Sequence, residues 1–436
     1  MLTRAERPKR GLSFSLRLFS AETLLLGVVL IYLALGNLPR IIALPGFDDN
    51  LPLSELILYL SILSYCLVRP KALAFTLRYL FPLYAVIVTS YLYGTFLNGP
   101  ELLPTLFALR LLALLASGHV AGFALFKRFK RSTGAFDYLL SVYLLVVALA
   151  LLIYLLFPDS VALWDYLETF GITFNGDPHQ RRLVSPYLDP NYYAAIAGLP
   201  LILSVLSYRQ TKKYRYLLFS TLLLLSIVLS VSRSGIAAVC LVLAFVVWQS
   251  VWRSFSKRKL RLSMLLFIPL LLFGAVLTSP FYGDDLVRIV ERTQNVAVDP
   301  SALARLASFE FGWALFVERP LLGIGYNYLS TYALDARGLT SVDSSPQAVL
   351  VTFGLVLSAV LGGMLTLWVV RLYAVVKRGQ DTSSYTDMVS LFLLYLLVSI
   401  AFTSQFNNLL FYQFWLVPVV AFGTYLSLWF KGRSRV

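Results

Sequence analysis

Apolar runs of about 17–25 residues recur along almost the whole chain, each long enough to cross a hydrocarbon core of roughly 30 Å as a helix. In lipid the backbone N–H and C=O groups must be satisfied within the segment, which makes helices of these runs. The alternation of a membrane barrel is absent. Only 14% of the residues are charged and 58% are hydrophobic. The expected fold is an all-α polytopic membrane protein, one transmembrane domain over 1–436. Twelve spans are expected, at roughly 18–38, 52–68, 74–95, 103–126, 137–157, 191–208, 216–231, 236–252, 262–279, 348–370, 385–403 and 409–430. The first run keeps its basic flank and lacks a small-residue cleavage site, so it reads as a span and not a signal peptide.

The net charge of +15 sits mostly in short loops between alternate runs, a positive-inside pattern that places both termini in the cytoplasm and argues against a nucleic-acid partner. Every lysine falls in these inner segments. The basic residues elsewhere (Arg40, Arg78, Arg110, Arg181, Arg182, Arg233, Arg288, Arg292, Arg305, Arg319 and Arg337) are all arginine. The planar guanidinium fork suits phosphate and carboxylate oxygens, so an anionic partner on the outer side is one reading; the other is that arginine is the commoner base throughout the chain. Cys66 and Cys240 lie inside apolar runs and read as small hydrophobes. The two histidines belong to no cluster with metal-ligand spacing, so neither a metal nor a cofactor is expected.

One interruption dwarfs the rest: residues 280–347, a large outer loop between spans 9 and 10. Within it, apolar residues at helical spacing (Leu303, Leu306, Phe309, Phe311, Ala314, Leu315) predict a helix over 302–317 along or above the membrane surface. Asp299 or Ser301 would cap it, and Pro320 lies just past its end. Arg305 falls early in that helix and Arg319 at its end. The stretch Pro320-Leu321-Leu322-Gly323-Ile324-Gly325-Tyr326-Asn327 is a tight turn whose glycines let the backbone approach a ligand or a neighbouring segment. Asp343 is the last carboxylate before span 10. It is either a site carboxylate or a helix-start acid, with Ser344 and Ser345 as alternative caps.

Two further polar stretches precede the loop. Arg181-Arg182-Leu183 leads to Asp189-Pro190-Asn191-Tyr192 at the start of span 6, where Asp189 or Asn191 is the candidate cap and an anion would be favoured. Ser232-Arg233-Ser234-Gly235 leaves almost no room for a loop. Arg233 therefore stands at the outer edge of the hydrocarbon, snorkelling or facing a cavity. Arg78 reads as snorkelling and Arg110 stays open between the two. Glu22 and Glu55 read as ordinary span-end carboxylates. Gln405-Phe406-Asn407-Asn408 is a tight turn between spans 11 and 12.

These pieces, in this order, resemble the O-antigen ligase and O-antigen polymerase (Wzy-type) superfamily. The resemblance is carried by Arg182-Leu183 with Asp189-Pro190-Asn191-Tyr192, by Ser232-Arg233-Ser234-Gly235, by Arg305 followed by Glu318-Arg319-Pro320-Leu321-Leu322-Gly323-Ile324-Gly325, and by Asp343 with Phe353-Gly354-Leu355. It implies transfer of a glycan from an undecaprenyl-pyrophosphate carrier on the periplasmic side of the bacterial inner membrane, without a metal. Ligases of this superfamily typically carry a histidine eleven residues before the glycine corresponding to Gly354; here that position is Asp343, which favours a polymerase. On this resemblance Arg305 and Asp343 are the catalytic pair, with Arg181, Arg182, Asn191, Tyr192, Arg233, Arg319, Gly325 and Tyr326 binding substrate. Tyr328 is a further candidate for the sugar path. The implied partners are the lipid-linked glycan, membrane lipids, and flippase and chain-length regulator proteins. The alternatives are ligase-type transfer to another acceptor, or a twelve-span transporter. The long arginine-bearing loop, the absence of recognisable halves and the scarcity of mid-span charges weigh against transport.

Overall fold

The computed structural model describes residues 20–41, 53–129, 134–157, 160–169, 182–255, 300–332, 342–378 and 383–431. Among them every regular element is helical. In chain order these are α1 Ala21–Leu35, α2 Leu53–Val68, α3 Pro70–Asn98, α4 Leu102–Phe129, α5 Gly134–Leu156, α6 Ser160–Glu168, α7 Pro190–Thr211, α8 Tyr214–Leu229, α9 Arg233–Phe255, α10 Pro300–Glu318, α11 Leu329–Tyr332, α12 Ser345–Arg378, α13 Ser383–Ala401 and α14 Gln413–Lys431. Proline opens α3, α7 and α10, at a position where its missing N–H costs nothing and its fixed φ already suits a helix.

Five helices, α3, α4, α5, α7 and α12, are long and apolar enough to cross a membrane; α1, α2, α8, α13 and α14 are shorter apolar helices, as is the first half of α9. A helix stands at each expected span except the ninth, whose residues 262–279 lie outside the described set.

The bundle is built on α4 and α14, which pack along each other's length. A side chain on Gly122 would overlap the backbone carbonyl of Ala421, so this position must be glycine for the axes to come this close. Around that pair, α1 packs on α2, α4 and α5, α3 on α4, and α7 on α5, α8, α9 and α13. Inside lies an ion pair: Arg110 Nε donates to Glu55 Oε2 at 2.8 Å and Arg110 Nη2 to Glu55 Oε1 at 2.6 Å. Glu55 is fully buried. Arg110 also donates to Gln413, the first residue of α14.

The loop helix forms as its periodicity predicts, over Pro300–Glu318. It packs on α12 through Ser308, Gly312 and Leu315, and leaves Leu303, Leu306, Phe309, Trp313 and Val317 exposed. Beside Leu315 the packed side holds the small and polar Ser308 and Gly312, while most of the large apolar side chains face outward, the reverse of a helix in water. That inversion suits contact with lipid, where large apolar side chains lose nothing by facing outward.

At 34 residues, α12 would run roughly 51 Å, well beyond a 30 Å core. It is broken at Gly354, whose φ of 63° and ψ of −176° no side chain adopts comfortably. The turn after α10 fills the break. Ile324 N–H donates to Val351 O at 2.9 Å and Gly325 N–H to Thr352 O at 3.2 Å. In return Leu355 N–H donates to Pro320 O at 2.8 Å and Val356 N–H to Leu321 O at 3.1 Å. Irregular backbone at this depth is tolerated because protein, not lipid, supplies its hydrogen bonds.

Candidate active site

The site begins at the entry to α7. Asp189 Oδ1 caps the helix, accepting from the N–H groups of Asn191 at 2.6 Å and Tyr192 at 3.0 Å. With those donors taken, anion binding here falls to guanidinium groups. Arg182 ties this entry to the end of α8: Nε donates to Ser230 O at 2.9 Å and Nη2 to Asn191 Oδ1 at 2.9 Å. Leu183 N–H donates to Leu229 O at 2.9 Å, so the segment 182–188 lies against the α8–α9 junction.

That junction carries Arg233, the first residue of α9. Ser232 Oγ accepts from Gly235 N–H at 3.3 Å. A side chain at Gly235 would collide with Ala194 of α7, so the Ser-Arg-Ser-Gly sequence brings the start of α9 against α7.

From the other side come α10 and the start of α12. Asp343 N–H donates to Ser308 Oγ at 3.0 Å, one turn along α10 from Arg305. Burial pushes the Asp343 carboxyl above the usual carboxylate range. Arg305 pulls it back down, and the neighbouring Asp189 pushes it up. Asp343 therefore lies within electrostatic reach of both the loop helix and the entry to α7. Tyr192 joins the two, being in reach of both Asp189 and Asp343.

The turn between α13 and α14 closes the group. The Tyr192 ring stacks on Tyr412 with centroids 4.0 Å apart, and the Tyr192 hydroxyl lies near the backbone N–H of Asn408. Ser345 Oγ donates to Asn407 O at 3.1 Å and accepts from Leu410 N–H at 3.1 Å. Asn407 Nδ2 reaches Ser234 Oγ at 3.5 Å, and Ser344 Oγ reaches Gln405 Oε1 at 3.5 Å.

The expected site residues thus fall into three sets. Arg182, Asn191, Tyr192, Arg233, Arg305 and Asp343 lie on or beside the segments that meet at the 405–412 turn. Arg319 and Gly325 do not join them, while Tyr326 touches the turn at Phe411. Arg319 follows the last residue of α10, fourteen residues and roughly 21 Å along the helix direction from Arg305; it pairs with Glu318 at 3.7 Å. Gly325 lies against Gly94 of α3 within the lock on α12. Tyr326 is buried between Phe353 and Phe411, and Tyr328 bonds Thr95 Oγ1 at 2.8 Å and Gly99 O at 3.0 Å. Arg181 and Asp299 lie outside the described residues. Ser308, Tyr412 and the Gln405–Asn408 turn were not expected at the site. The signal for the turn was present: four polar or aromatic residues between two spans, on the same side as the large loop. Among the described residues, no group of three histidine, cysteine or acidic side chains gathers as a metal would require.

An all-helical membrane protein with Arg305 of the loop helix within electrostatic reach of the half-buried Asp343 carboxyl, and with Arg182 and Arg233 at neighbouring helix entries, is the class that fold and site define. Residues 217–362 match a family model described as O-antigen ligase, and the match supports the O-antigen ligase and polymerase superfamily. It runs from α8 to the middle of α12 and includes Arg233, Arg305, Asp343 and Gly354. It indicates glycan transfer of the ligase or polymerase type. No curated protein matches the chain.

Proposed function

We propose that the chain is a polysaccharide polymerase: it transfers glycan from an undecaprenyl-pyrophosphate carrier to a sugar hydroxyl of another lipid-linked unit, on the periplasmic face of the bacterial inner membrane. The observation that carries the reading is the docking of α10 on Asp343 through Ser308, with Arg305 within electrostatic reach, beside the Arg182–Tyr192 entry. In the reaction the bond between the anomeric carbon and the pyrophosphate oxygen breaks. The acceptor oxygen bonds that carbon, and its proton passes to Asp343. Charge grows on the departing pyrophosphate, where Arg182, Arg233 and Arg305 neutralise it. A carboxylate whose pKa is raised by burial is a better proton acceptor than an ordinary aspartate.

Arg305→Lys and Arg182→Lys proteins insert normally and make no long polysaccharide, because a point charge does not reproduce the bidentate fork. Full-length product from both variants refutes the clamp. Asp343→Asn with undiminished product removes the carboxylate from the mechanism. Ligase-type transfer is the second reading, favoured by the description of the matching family. A deletion strain separates the two. Loss of a polymerase leaves single repeat units on the final acceptor, whereas loss of a ligase leaves long chains on the carrier lipid.

A further inference from the structure

Three elements of the site, the starts of α7, α9 and α12, all touch the turn between α13 and α14, and the side chains of that turn divide into two kinds. Asn407 is buried and spent on structure, bonding Ser345 through its carbonyl and Ser234 through its amide. Gln405 and Asn408 have hydrogen-bonding capacity left over. Gln405 is exposed, and its one side-chain contact is the long 3.5 Å approach of Ser344, next in sequence to Asp343. Its Nε2 bonds nothing among the described residues. Asn408 lies beside Tyr192, and its Oδ1 is buried and accepts no hydrogen bond among the described residues. A buried acceptor without a donor is uncommon in folded proteins and marks a place for a ligand or water. Beside these amides stand the stacked rings of Tyr192 and Tyr412 and the exposed ring of Phe406.

We propose that this turn, through the side-chain amides of Gln405 and Asn408 beside the Tyr192–Tyr412 stack, binds the hydroxyls of the acceptor glycan and selects which sugar is extended. The proposal rests on the glycan-transfer reading above. The Asp343–Ser345 segment has a cationic neighbour on α10, Arg305, and an uncharged amide neighbour on the turn, Gln405 against Ser344. That division matches two different demands. A pyrophosphate donor needs cations. A sugar needs groups that donate and accept together without charge, as amides do, and flat apolar rings for its C–H faces. The acceptor hydroxyl must also lie against Asp343 to hand over its proton, and Gln405 is the turn residue that reaches the Asp343–Ser345 segment by its side chain.

The test uses full-length protein in detergent. The donor is the lipid-linked repeat unit extracted from cells lacking this protein, and the soluble acceptor is the same oligosaccharide freed from its carrier. Gln405→Ala and Asn408→Ala are each expected to raise the acceptor KM about tenfold, the equivalent of one good hydrogen bond, while kcat at saturating acceptor stays within about twofold. Asn408→Gln, which keeps the amide, recovers part of the loss. An unchanged acceptor KM in both alanine variants overturns the proposal, and so does a fall in kcat at constant KM, which would make the turn a scaffold only. Gln405 is exposed, so Gln405→Ala carries the test if Asn408→Ala fails to fold. Should the unaltered protein transfer no glycan, the underlying reading falls; transfer with indifferent KM values refutes the acceptor subsite alone.

Discussion

Replacing Gly354 by alanine tests the lock that holds the loop onto the bundle. A Cβ at this position would overlap the Leu321 carbonyl and the Gly323 amide, and the φ and ψ of Gly354 belong to a region reserved for glycine, at a cost of roughly 1–3 kcal/mol for any other residue. The chain escapes this strain by straightening α12 through residue 354. A straight helix gives Leu355 and Val356 N–H new partners within α12, but it withdraws them from Pro320 O and Leu321 O, and withdraws Val351 O and Thr352 O from Ile324 and Gly325. Four backbone groups of the 320–325 turn are then left without partners in an apolar surrounding. At about 1 kcal/mol each as a lower bound, the turn loses of order 4 kcal/mol, close to a thousandfold in the docked population. Arg305 and Ser308 ride on the helix this turn anchors, so the contact with Asp343 goes too. Gly354→Ala protein is expected to insert, to lose polysaccharide of high length, and to expose the 300–332 segment to protease in detergent at a lower temperature than the parent. Parental protease resistance together with a parental product ladder would refute the account of the break as a lock.

Three further outcomes follow from the same geometry. If Asp343 accepts the proton, activity requires its ionised form, and a raised pKa moves the acid limb of the pH–rate profile above the usual aspartate range; Asp189→Asn, which keeps the helix cap but removes the charge that pushes Asp343 up, shifts that limb to lower pH. Arg110→Met strands the buried Glu55 carboxylate and costs about 3–5 kcal/mol, whereas Arg110→Met combined with Glu55→Leu removes both charges and recovers most of it, a difference read from thermal unfolding in detergent. Gly122→Leu drives α4 away from α14 at Ala421 and should prevent accumulation of folded protein, while Gly27→Leu, at a position with nothing within 4 Å, leaves it at the parental level.

Lipid explains both what could be read in the sequence and what could not. A span must be apolar along its length to enter the bilayer, and that demand is written residue by residue, which is why helices lie at eleven of the twelve expected positions and why the loop helix was placed to within two residues. The same solvent erases the signal that orients a helix. On α10 the apolar residues Leu303, Leu306 and Phe309 face outward, while the packed side mixes Ser308 and Gly312 with Leu315, so hydrophobicity does not tell the two sides apart. Partners distant in sequence are equally silent: Glu55 reads as a span-end carboxylate and Arg110 as an arginine either snorkelling or facing a cavity, until α2 and α4 bring them to 2.6 Å. The Gly323–Gly325 turn left two readings, approach to a ligand or to a neighbouring segment, and the choice depends on the break at Gly354, which composition does not reveal. The site is legible to the extent that its arginines must be arginine. Its remaining wall, Gln405 to Tyr412, owes its place to the docking of α13 and α14 on helices far back in the chain, so a turn of ordinary composition becomes part of the site by packing alone.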